Sequence, residues 1–263
     1  MNILDKIITN KREEVQRRQR IKSVESFKDS FLFHEKRPSL YDYLLNGNGI
    51  IAEFKRKSPS KGEINCKVTP AQVVLGYQKA NVSAISVLTD HKYFGGSNSD
   101  LIEAVEVTSL PVIRKEFIID EYQIYEAKAI GASAILLIGA LLTKEQVACF
   151  SSLSRQLGMD VLFEIHDSKE LDKLNNDIDI VGINNRNLKT FNVDIEQSIS
   201  LASMLPADKL PVAESGIQTV EDYLYLKKCG FKGFLIGETF MRSAQPDKMC
   251  QYFCNQIKIA ERC

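Results

Sequence analysis

Short apolar runs rich in β-branched residues alternate along this chain with longer stretches of helical periodicity. Eight of these runs have the length of β-strands, and their starts lie about 19 to 33 residues apart. They span residues 50–54, 83–88, 111–114, 133–138, 160–164, 179–183, 211–214 and 233–236. Most are apolar throughout, which is typical of parallel strands that are buried on both faces. The pattern therefore predicts an α/β protein with a parallel sheet covered by helices.

The helical stretches begin with recognisable caps. Thr69 is followed by Pro70, and Thr143 and Thr219 each stand three residues before a polar side chain that can complete a capping box. Eight strand–helix units without an internal linker predict one (β/α)8 TIM barrel over residues 49–263. A doubly wound open sheet is the alternative, although no GxGxxG motif follows the first strand.

Residues 1–48 precede the first strand and are too many for a simple tail. Ile3, Leu4, Ile7, Ile8 and Val15 form a partial helical stripe in this segment. We expect an N-terminal helical extension that packs on the barrel as part of a single domain. Two placements stay open, because the extension can plug the bottom of the barrel or cross the opposite mouth.

The charge balance argues against a nucleic-acid-binding protein. The chain has 34 basic and 34 acidic residues, whereas nucleic-acid binding calls for a basic excess or stripe. The basic residues at positions 11, 12, 17, 18 and 20 are interrupted by two glutamates, and we interpret them as a solvated helix face. No stretch approaches the roughly 20 apolar residues of a membrane span, so no membrane partner is expected.

The six cysteines include no CxxC pair, and Cys250 and Cys254 have no histidine nearby in the sequence. A zinc site calls for more soft ligands than this, so we expect no metal. Scattered cysteines in a chain whose first residues do not look like a signal peptide fit a reducing compartment. We therefore expect a cytoplasmic protein.

Polar residues that folding does not require lie at the carboxyl ends of several predicted strands. They include Glu53, Lys55, Lys115, Glu164 and Glu214, and barrel enzymes have their active sites at this end. Side chains two apart on a strand share a face, so Glu53 and Lys55 point the same way. Ion pairs that merely close the barrel mouth are the alternative. The repetition of such residues at one end of the barrel favours a catalytic acid–base cluster instead.

The loops after strands seven and eight often bind phosphate in this fold, through backbone N–H groups. Here those loops contain Gly216 and Gly237, and glycine lets the backbone approach an anion closely. Glu238 is an awkward neighbour for a dianion, although its own N–H can still donate. We interpret the nearby His91 and His166 as bystanders rather than as catalytic groups.

Longer motifs surround the polar residues at the strand ends. They are IAEFKRKSPS (51–60), LT with YFGGS (88–97), RKEFI (114–118), FEIH (163–166), GINNR (182–186), AESGI (213–217) and LIGE (235–238). These segments resemble, in order along the barrel, those of the indole-3-glycerol-phosphate synthase family of tryptophan biosynthesis. The resemblance is most specific at the first strand, while Glu116 stands where some members have Asp.

The resemblance implies a carboxy-lyase that closes the ring of 1-(2-carboxyphenylamino)-1-deoxyribulose 5-phosphate with loss of carbon dioxide and water. It implies no metal and no organic cofactor. It also implies an acid, Lys115, and a base, Glu164, with the choice between Lys115 and Lys55 as principal acid left open. Lys55 is implied to bind the substrate carboxylate, and Glu53 to support both lysines. The residues implied to orient the substrate are Asn184, Arg186, Glu214 and Ser215. Those implied to bind the phosphate are Ser58, Gly216, Gly237 and Glu238, and those implied to form an apolar wall are Phe94, Phe117 and Leu136.

Two other functions stay open at this point. Another phosphate-binding barrel, such as phosphoribosylanthranilate isomerase, needs an acid–base pair without decarboxylation, and its first-strand pattern differs. A catalytically inactive barrel that serves as a scaffold is the second alternative, although the strand ends are filled by residues able to do chemistry. In each case we expect a monomer, and for the enzymes a phosphorylated small-molecule substrate.

Overall fold

Within residues 3–186 and 194–262, which a computed structural model describes, eight parallel strands close into a barrel. Each strand pairs with its neighbours in sequence, and the first pairs with the last through Ile50 opposite Phe234. The closed barrel is confirmed, and the open doubly wound sheet is wrong. The strands are β1 (Ile50–Phe54), β2 (Ala84–Leu88), β3 (Val112–Lys115), β4 (Ala134–Ile138), β5 (Asp160–Ile165), β6 (Ile180–Asn184), β7 (Leu210–Glu214) and β8 (Gly233–Ile236).

Helices surround the barrel and extend it at the N-terminus. Two 3₁₀ helices, Glu25–Asp29 and Ser168–Lys173, and a hairpin of two-residue strands, Lys57–Ser58 and Gly62–Glu63, complete the described elements. Residues 1–2, 187–193 and 263 of the expected domain lie outside the described residues. The α-helices are α1 (Ile3–Ile21), α2 (Phe31–His34), α3 (Leu40–Asn46), α4 (Pro70–Lys79), α5 (His91–Phe94), α6 (Asn98–Val107), α7 (Glu121–Ala129), α8 (Lys144–Gln156), α9 (Ile195–Ala202), α10 (Val220–Lys228), α11 (Glu238–Met241) and α12 (Pro246–Ala260).

The predicted helix caps are present. Thr69 accepts a hydrogen bond from the backbone N–H of Gln72 at the start of α4. Thr143 and Thr219 form complete capping boxes that open α8 and α10. These caps satisfy N–H groups that a helix start leaves without partners, typically worth about 1 kcal/mol each. Local sequence therefore determines where these barrel helices begin.

Alternation along the strands separates two cores. On β1, Ile50, Ala52 and Phe54 pack outward against the helices, whereas Ile51 joins the cluster inside the barrel and Glu53 lines the cavity above it. The same alternation on β3 directs Lys115 inward and leaves Arg114 buried on the helix side. The inner positions are thus apolar low in the barrel and become polar towards the carboxyl ends of the strands.

The N-terminal extension covers both ends of the barrel. Leu40 and Leu44 of α3 join the inner apolar cluster, and Ser39, just before α3, donates a 3.0 Å hydrogen bond to Asp160 at the start of β5. Helix α1 lies at the opposite mouth, where Leu4 and Ile7 line the main cavity. The two placements left open by the sequence are therefore both correct, for different helices.

The interpretation of the basic run of α1 as a solvated face is wrong at two positions. Lys11 is only 2% exposed, and its Nζ lies 2.9 Å from Asp90 Oδ2 and 3.0 Å from Glu116 Oε1. Arg18 is partly buried and pairs with Glu126 at 3.0 Å. Both cations turn inward because carboxylates of the barrel lie beneath the helix, which the sequence of α1 alone does not reveal.

Candidate active site

A cavity of about 610 Å³ opens at the carboxyl ends of the barrel strands. Its size falls in the range of small-molecule sites, and its walls mix apolar and charged side chains. Of the predicted site residues, Glu214 alone does not line it. The predicted residues that do are Glu53, Lys55, Ser58, Phe94, Lys115, Phe117, Leu136, Glu164, Asn184, Arg186, Ser215, Gly216, Gly237 and Glu238.

Two lysines and three glutamates meet at the floor of the cavity. Lys115 Nζ lies 2.6 Å from Glu214 Oε2, 3.5 Å from Glu53 Oε2 and 4.0 Å from Glu164 Oε2. Lys55 Nζ lies 2.7 Å from Glu53 Oε1. Glu53 thus bridges the two lysines, while Lys115 is surrounded by carboxylates from three other strands. The convergence predicted from the strand ends is present in the structure.

The carboxylates strongly affect the protonation of this cluster. Burial alone would lower the pKa of Lys115, but the charges of Glu214, Glu53 and Glu164 raise it above its ordinary value. Burial would raise the pKa of Glu53, yet Lys55 and Lys115 hold it below the ordinary value. Lys115 is therefore a cation and Glu53 an anion near neutral pH. The raised pKa keeps the proton on Lys115 in the free site, and it also makes Lys115 a weaker acid than an ordinary lysine.

Glu214 lies beneath the cavity and not in its wall. Its side chain is 1% exposed, and burial raises its pKa to about 8, with Glu164 adding to the shift and Lys115 opposing it. Its Oε1 has no hydrogen-bond partner among the described residues. That oxygen fills the space above Gly182, where a Cβ would overlap it. Gly182 thus provides the room for the carboxyl group that supports Lys115.

Glu164 lies between Asn184 and Lys115. Asn184 Nδ2 donates a 3.2 Å hydrogen bond to Glu164 Oε1, and Oε2 faces Lys115. Asn184 Oδ1 also accepts a 3.0 Å hydrogen bond from the backbone N–H of Arg186. The end of β6 therefore orients both Glu164 and the chain that leads to Arg186.

The predicted phosphate end of the cavity contains more charge than its glycines indicated. Glu238 lies between two arginines, 2.5 Å from Arg242 and 3.5 Å from Arg186. The carboxylate that looked awkward for a dianion is thus balanced by two cations that line the cavity. Arg242 was missed from the sequence, although its position four residues after Glu238 on one helical turn was a usable signal.

The backbone at the predicted phosphate end shows two unusual features, one at Ser215 and Gly216 and the other at Gly237. Ser215 and Gly216 both have left-handed backbone conformations, with φ of 68° and 78°. A non-glycine residue is uncommon there, and such outliers cluster at functional sites. Gly237, predicted to let an anion approach, also makes room for Glu53, because a Cβ at Gly237 would overlap Glu53 Oε1.

The apolar wall joins the barrel to α1. The rings of Phe94 and Phe117 lie 6.0 Å apart, and Leu4, Ile7 and Leu136 complete the apolar lining on this side. In the sequence, Leu4 and Ile7 are recognisable only as part of a helical stripe. Their contribution to the cavity depends on the position of α1 over the mouth.

Neither a metal cluster nor a membrane span is found in the described part of the chain. Over residues 3–186 and 194–262, no group of three or more His, Cys, Asp or Glu side chains is arranged to hold a metal ion. Over the same residues, no helix is long and apolar enough to cross a membrane.

Comparison of the sequence with known families and proteins decides the family. The profile of a family described as Indole-3-glycerol phosphate synthase matches residues 4–253. The chain belongs to this family. An indole-3-glycerol phosphate synthase of Bacteroides thetaiotaomicron is 46% identical over 98% of this chain and 99% of its own length. Another, from Caldanaerobacter subterraneus subsp. tengcongensis, is 43% identical over 91% of this chain and 93% of its own.

Solved structures with the same architecture include tryptophan synthase α-subunits. That of Legionella pneumophila superposes with a TM-score of 0.61 at 12% identity, over 85% of this chain and 98% of its own. A mutant α-subunit from Pyrococcus furiosus gives a TM-score of 0.59 at 12% identity, over 81% of this chain and 98% of its own. At this identity the likeness concerns the barrel fold alone.

Proposed function

We propose that this member of the indole-3-glycerol phosphate synthase family closes the ring of 1-(2-carboxyphenylamino)-1-deoxyribulose 5-phosphate to give indole-3-glycerol phosphate, carbon dioxide and water. The observation that supports it best is the cluster at the cavity floor. There the side chains of Glu214, Glu53 and Glu164 surround Lys115 and raise its pKa, and Lys115 Nζ lies 4.0 Å from Glu164 Oε2. An acid and a base thus face one small space, which ring closure followed by dehydration requires.

In the first step, the ring carbon that bears the carboxylate attacks the ketone carbon. The ketone oxygen then takes a proton from Lys115, whose other contacts to Glu53 and Glu214 keep the ammonium group in place. The bond from ring to carboxylate breaks, carbon dioxide leaves, and its electron pair restores the aromatic ring. Only the transition state develops charge on the ketone oxygen, so a cation placed there lowers the barrier.

In the second step, the new hydroxyl group takes a proton from the ammonium group of Lys55, which lines the same cavity, and leaves as water, while Glu164 takes a proton from the neighbouring substrate carbon. The electron pair released by that deprotonation forms the double bond of the indole. Asn184, which donates to Oε1 of Glu164, leaves the second carboxylate oxygen directed towards the reacting centre. Glu164 is the base in this scheme and Lys115 the principal acid.

The remaining side chains bind the two ends of the substrate. Lys55 lies on the same face of β1 as Glu53 and is placed to bind the carboxylate that is lost. Arg186 and Arg242 supply positive charge for the phosphate, together with Ser58 and the backbone at Ser215, Gly216, Gly237 and Glu238. The apolar wall of Phe94, Phe117 and Leu136 suits the aromatic ring.

We also propose that the enzyme works as a cytoplasmic monomer without metal or organic cofactor. One chain supplies the acid, the base and the cationic groups of the cavity. Cys66, Cys149, Cys229, Cys250 and Cys254 are free thiols, as expected of a protein in a reducing compartment. Size-exclusion chromatography with light scattering checks the mass, for which 29.7 kDa is expected.

A turnover assay tests the proposed reaction. The purified protein is incubated with the carboxyphenylamino substrate in a metal-chelating buffer, while indole fluorescence and released carbon dioxide are followed together. We expect equal amounts of both products. A protein that isomerises or merely binds the substrate would release no carbon dioxide, and that result would refute the proposal.

A further inference from the structure

The ring of His166 is enclosed and has no hydrogen-bond partner. His166 follows directly after β5, two residues beyond Glu164, and its side chain is 14% exposed. Both ring nitrogens are inaccessible to solvent, and neither makes a hydrogen bond within residues 3–186 and 194–262. Buried polar groups are normally paired, so an imidazole in this state calls for an explanation.

The nearest candidate partner is Glu164. His166 Nε2 lies 3.3 Å from Glu164 Oε1, within hydrogen-bonding distance, although the ring is not oriented to form the bond. Asn184 Nδ2 donates a 3.2 Å hydrogen bond to the same oxygen. The backbone of His166 is anchored separately, because its N–H donates a 2.9 Å hydrogen bond to Glu170 Oε2. Because Nε2 and Oε1 are already within hydrogen-bonding distance, the bond requires a change in the orientation of the ring and not in its distance from Glu164.

We propose that His166 is a positioning residue for the reaction, donating from Nε2 to Oε1 of Glu164 so that Oε2 stays directed at the substrate. The inference rests on the proposed function, because it gives meaning to Glu164 as the base. It differs from the interpretation of His166 as a bystander, which stays a prediction. His166 does not line the cavity and touches no substrate in this scheme; it acts through Glu164.

The charges around the ring favour its neutral form. Burial lowers the pKa of His166; Glu170 and Glu214 oppose that shift, and Lys115 adds to it. The groups that face the ring are therefore Glu164 on its own strand, Glu170 on the following 3₁₀ helix, Glu214 on β7 and Lys115 on β3. A neutral donor orients the carboxylate without cancelling its charge, whereas an imidazolium would form an ion pair with the base and weaken it.

Three variants test the role. His166→Leu removes the donor, and His166→Gln keeps an N–H at a similar reach. His34→Leu is the matched control on an exposed ring outside the site, which contacts the backbone oxygen of Lys28 and the ring of Phe33. We expect His166→Leu to lower kcat on the order of tenfold, since the lost bond is to a charged group. KM should stay within about twofold, because ring binding and phosphate binding are untouched.

The pH profile separates positioning from packing. Without its donor the carboxylate form of the base is less stable, so the acid limb of kcat should move to higher pH in His166→Leu and much less in His166→Gln. Far-UV circular dichroism and denaturant midpoints show whether each variant is folded. Equal kcat and equal profiles for wild type and His166→Leu would overturn the inference, as would a loss of kcat that His166→Gln does not restore.

A readout without turnover keeps this inference distinct from the proposed function. If the wild-type protein makes no indole product, the proposed function fails. The ring-nitrogen NMR shifts of His166 then test the contact on their own. They should change in Glu164→Gln and stay unchanged in Glu145→Gln, whose carboxylate is exposed on α8. Identical His166 shifts in wild type and Glu164→Gln would overturn the contact itself.

Discussion

Replacing Lys11 by methionine should destabilise the protein by about 3–5 kcal/mol, the usual cost of removing one partner from a buried ion pair. Lys11 is 2% exposed, and its partners Asp90 and Glu116 are 2% and 1% exposed. Methionine keeps the length of the stem but removes the charge. Both carboxylates would then lose this cation, although Glu116 keeps its hydrogen bonds from Thr89 and from the backbone of Phe117.

Denaturant unfolding measures this cost directly, with Lys6→Met as the matched control because Lys6 is exposed on the same helix. The midpoint should fall in Lys11→Met at an unchanged slope, and the melting temperature should fall by roughly 10 °C. KM should rise as well, because α1 supplies Leu4 and Ile7 to the cavity wall. A difference below about 0.5 kcal/mol between the two variants would refute the reasoning, since that is the size of an ordinary surface substitution.

Two further predictions concern Glu214. Gly182→Ala should push the carboxyl group of Glu214 away from Lys115 and lower kcat by tenfold or more. In the control variant Gly158→Ala, the added Cβ meets no atom within 4 Å, so only backbone strain is expected and kcat should not change. Equal kcat in both variants would contradict this. The raised pKa of Glu214, about 8, means that its contribution to stability is present at acid pH and is lost as pH rises from about 4.5 through 8. The unfolding free energy of wild type should therefore fall relative to Glu214→Gln over that range, and parallel curves would be the contrary result.

The barrel could be predicted because its signal is local and repeated. Each apolar run marks a strand that is buried on both faces, and the threonine caps mark the helix starts. Every strand begins and ends within one residue of its predicted position. Polar residues at the carboxyl ends of such strands must then meet in space, which is why the sequence alone could assign Glu53, Lys115 and Glu164 to one site.

The partners of α1 in the barrel could not be predicted, because they lie far away in the sequence. Whether Lys11 faces solvent depends on Asp90 and Glu116, which follow it by 79 and 105 positions along the chain. Lys11 lies on the helical face of Ile7 and Val15, whereas Arg12 does not, and Lys11 is buried while Arg12 is exposed. The interpretation from charge alone did not use this position on the apolar face. A charge pattern on a single helix therefore predicts solvation only where no oppositely charged surface lies beneath it.

Contacts between buried side chains beneath the site could not be predicted from the sequence either. In the sequence Gly182 is indistinguishable from an ordinary strand glycine, and only the structure shows that Glu214 occupies the space above it. His166 reads as a stray histidine until its ring is found enclosed beside Glu164. Gly182 is paired in register with Val212, and Glu214 lies two residues further along that strand. Glu164 lies two residues before His166 in the sequence, but the sequence does not show that the ring is enclosed. Roles that depend on packing between strands need the three-dimensional arrangement.

The turnover rates of Lys115→Met and Glu164→Gln test the central claim most directly. Each variant is compared with a control that makes the same substitution at an exposed position of α8, Lys144→Met and Glu145→Gln. All four proteins are first shown to be folded. The account predicts that both site variants lose kcat by at least about 100-fold, the usual contribution of a general acid or base, while the controls match wild type. Near-normal kcat in a folded Lys115→Met or Glu164→Gln protein would contradict it.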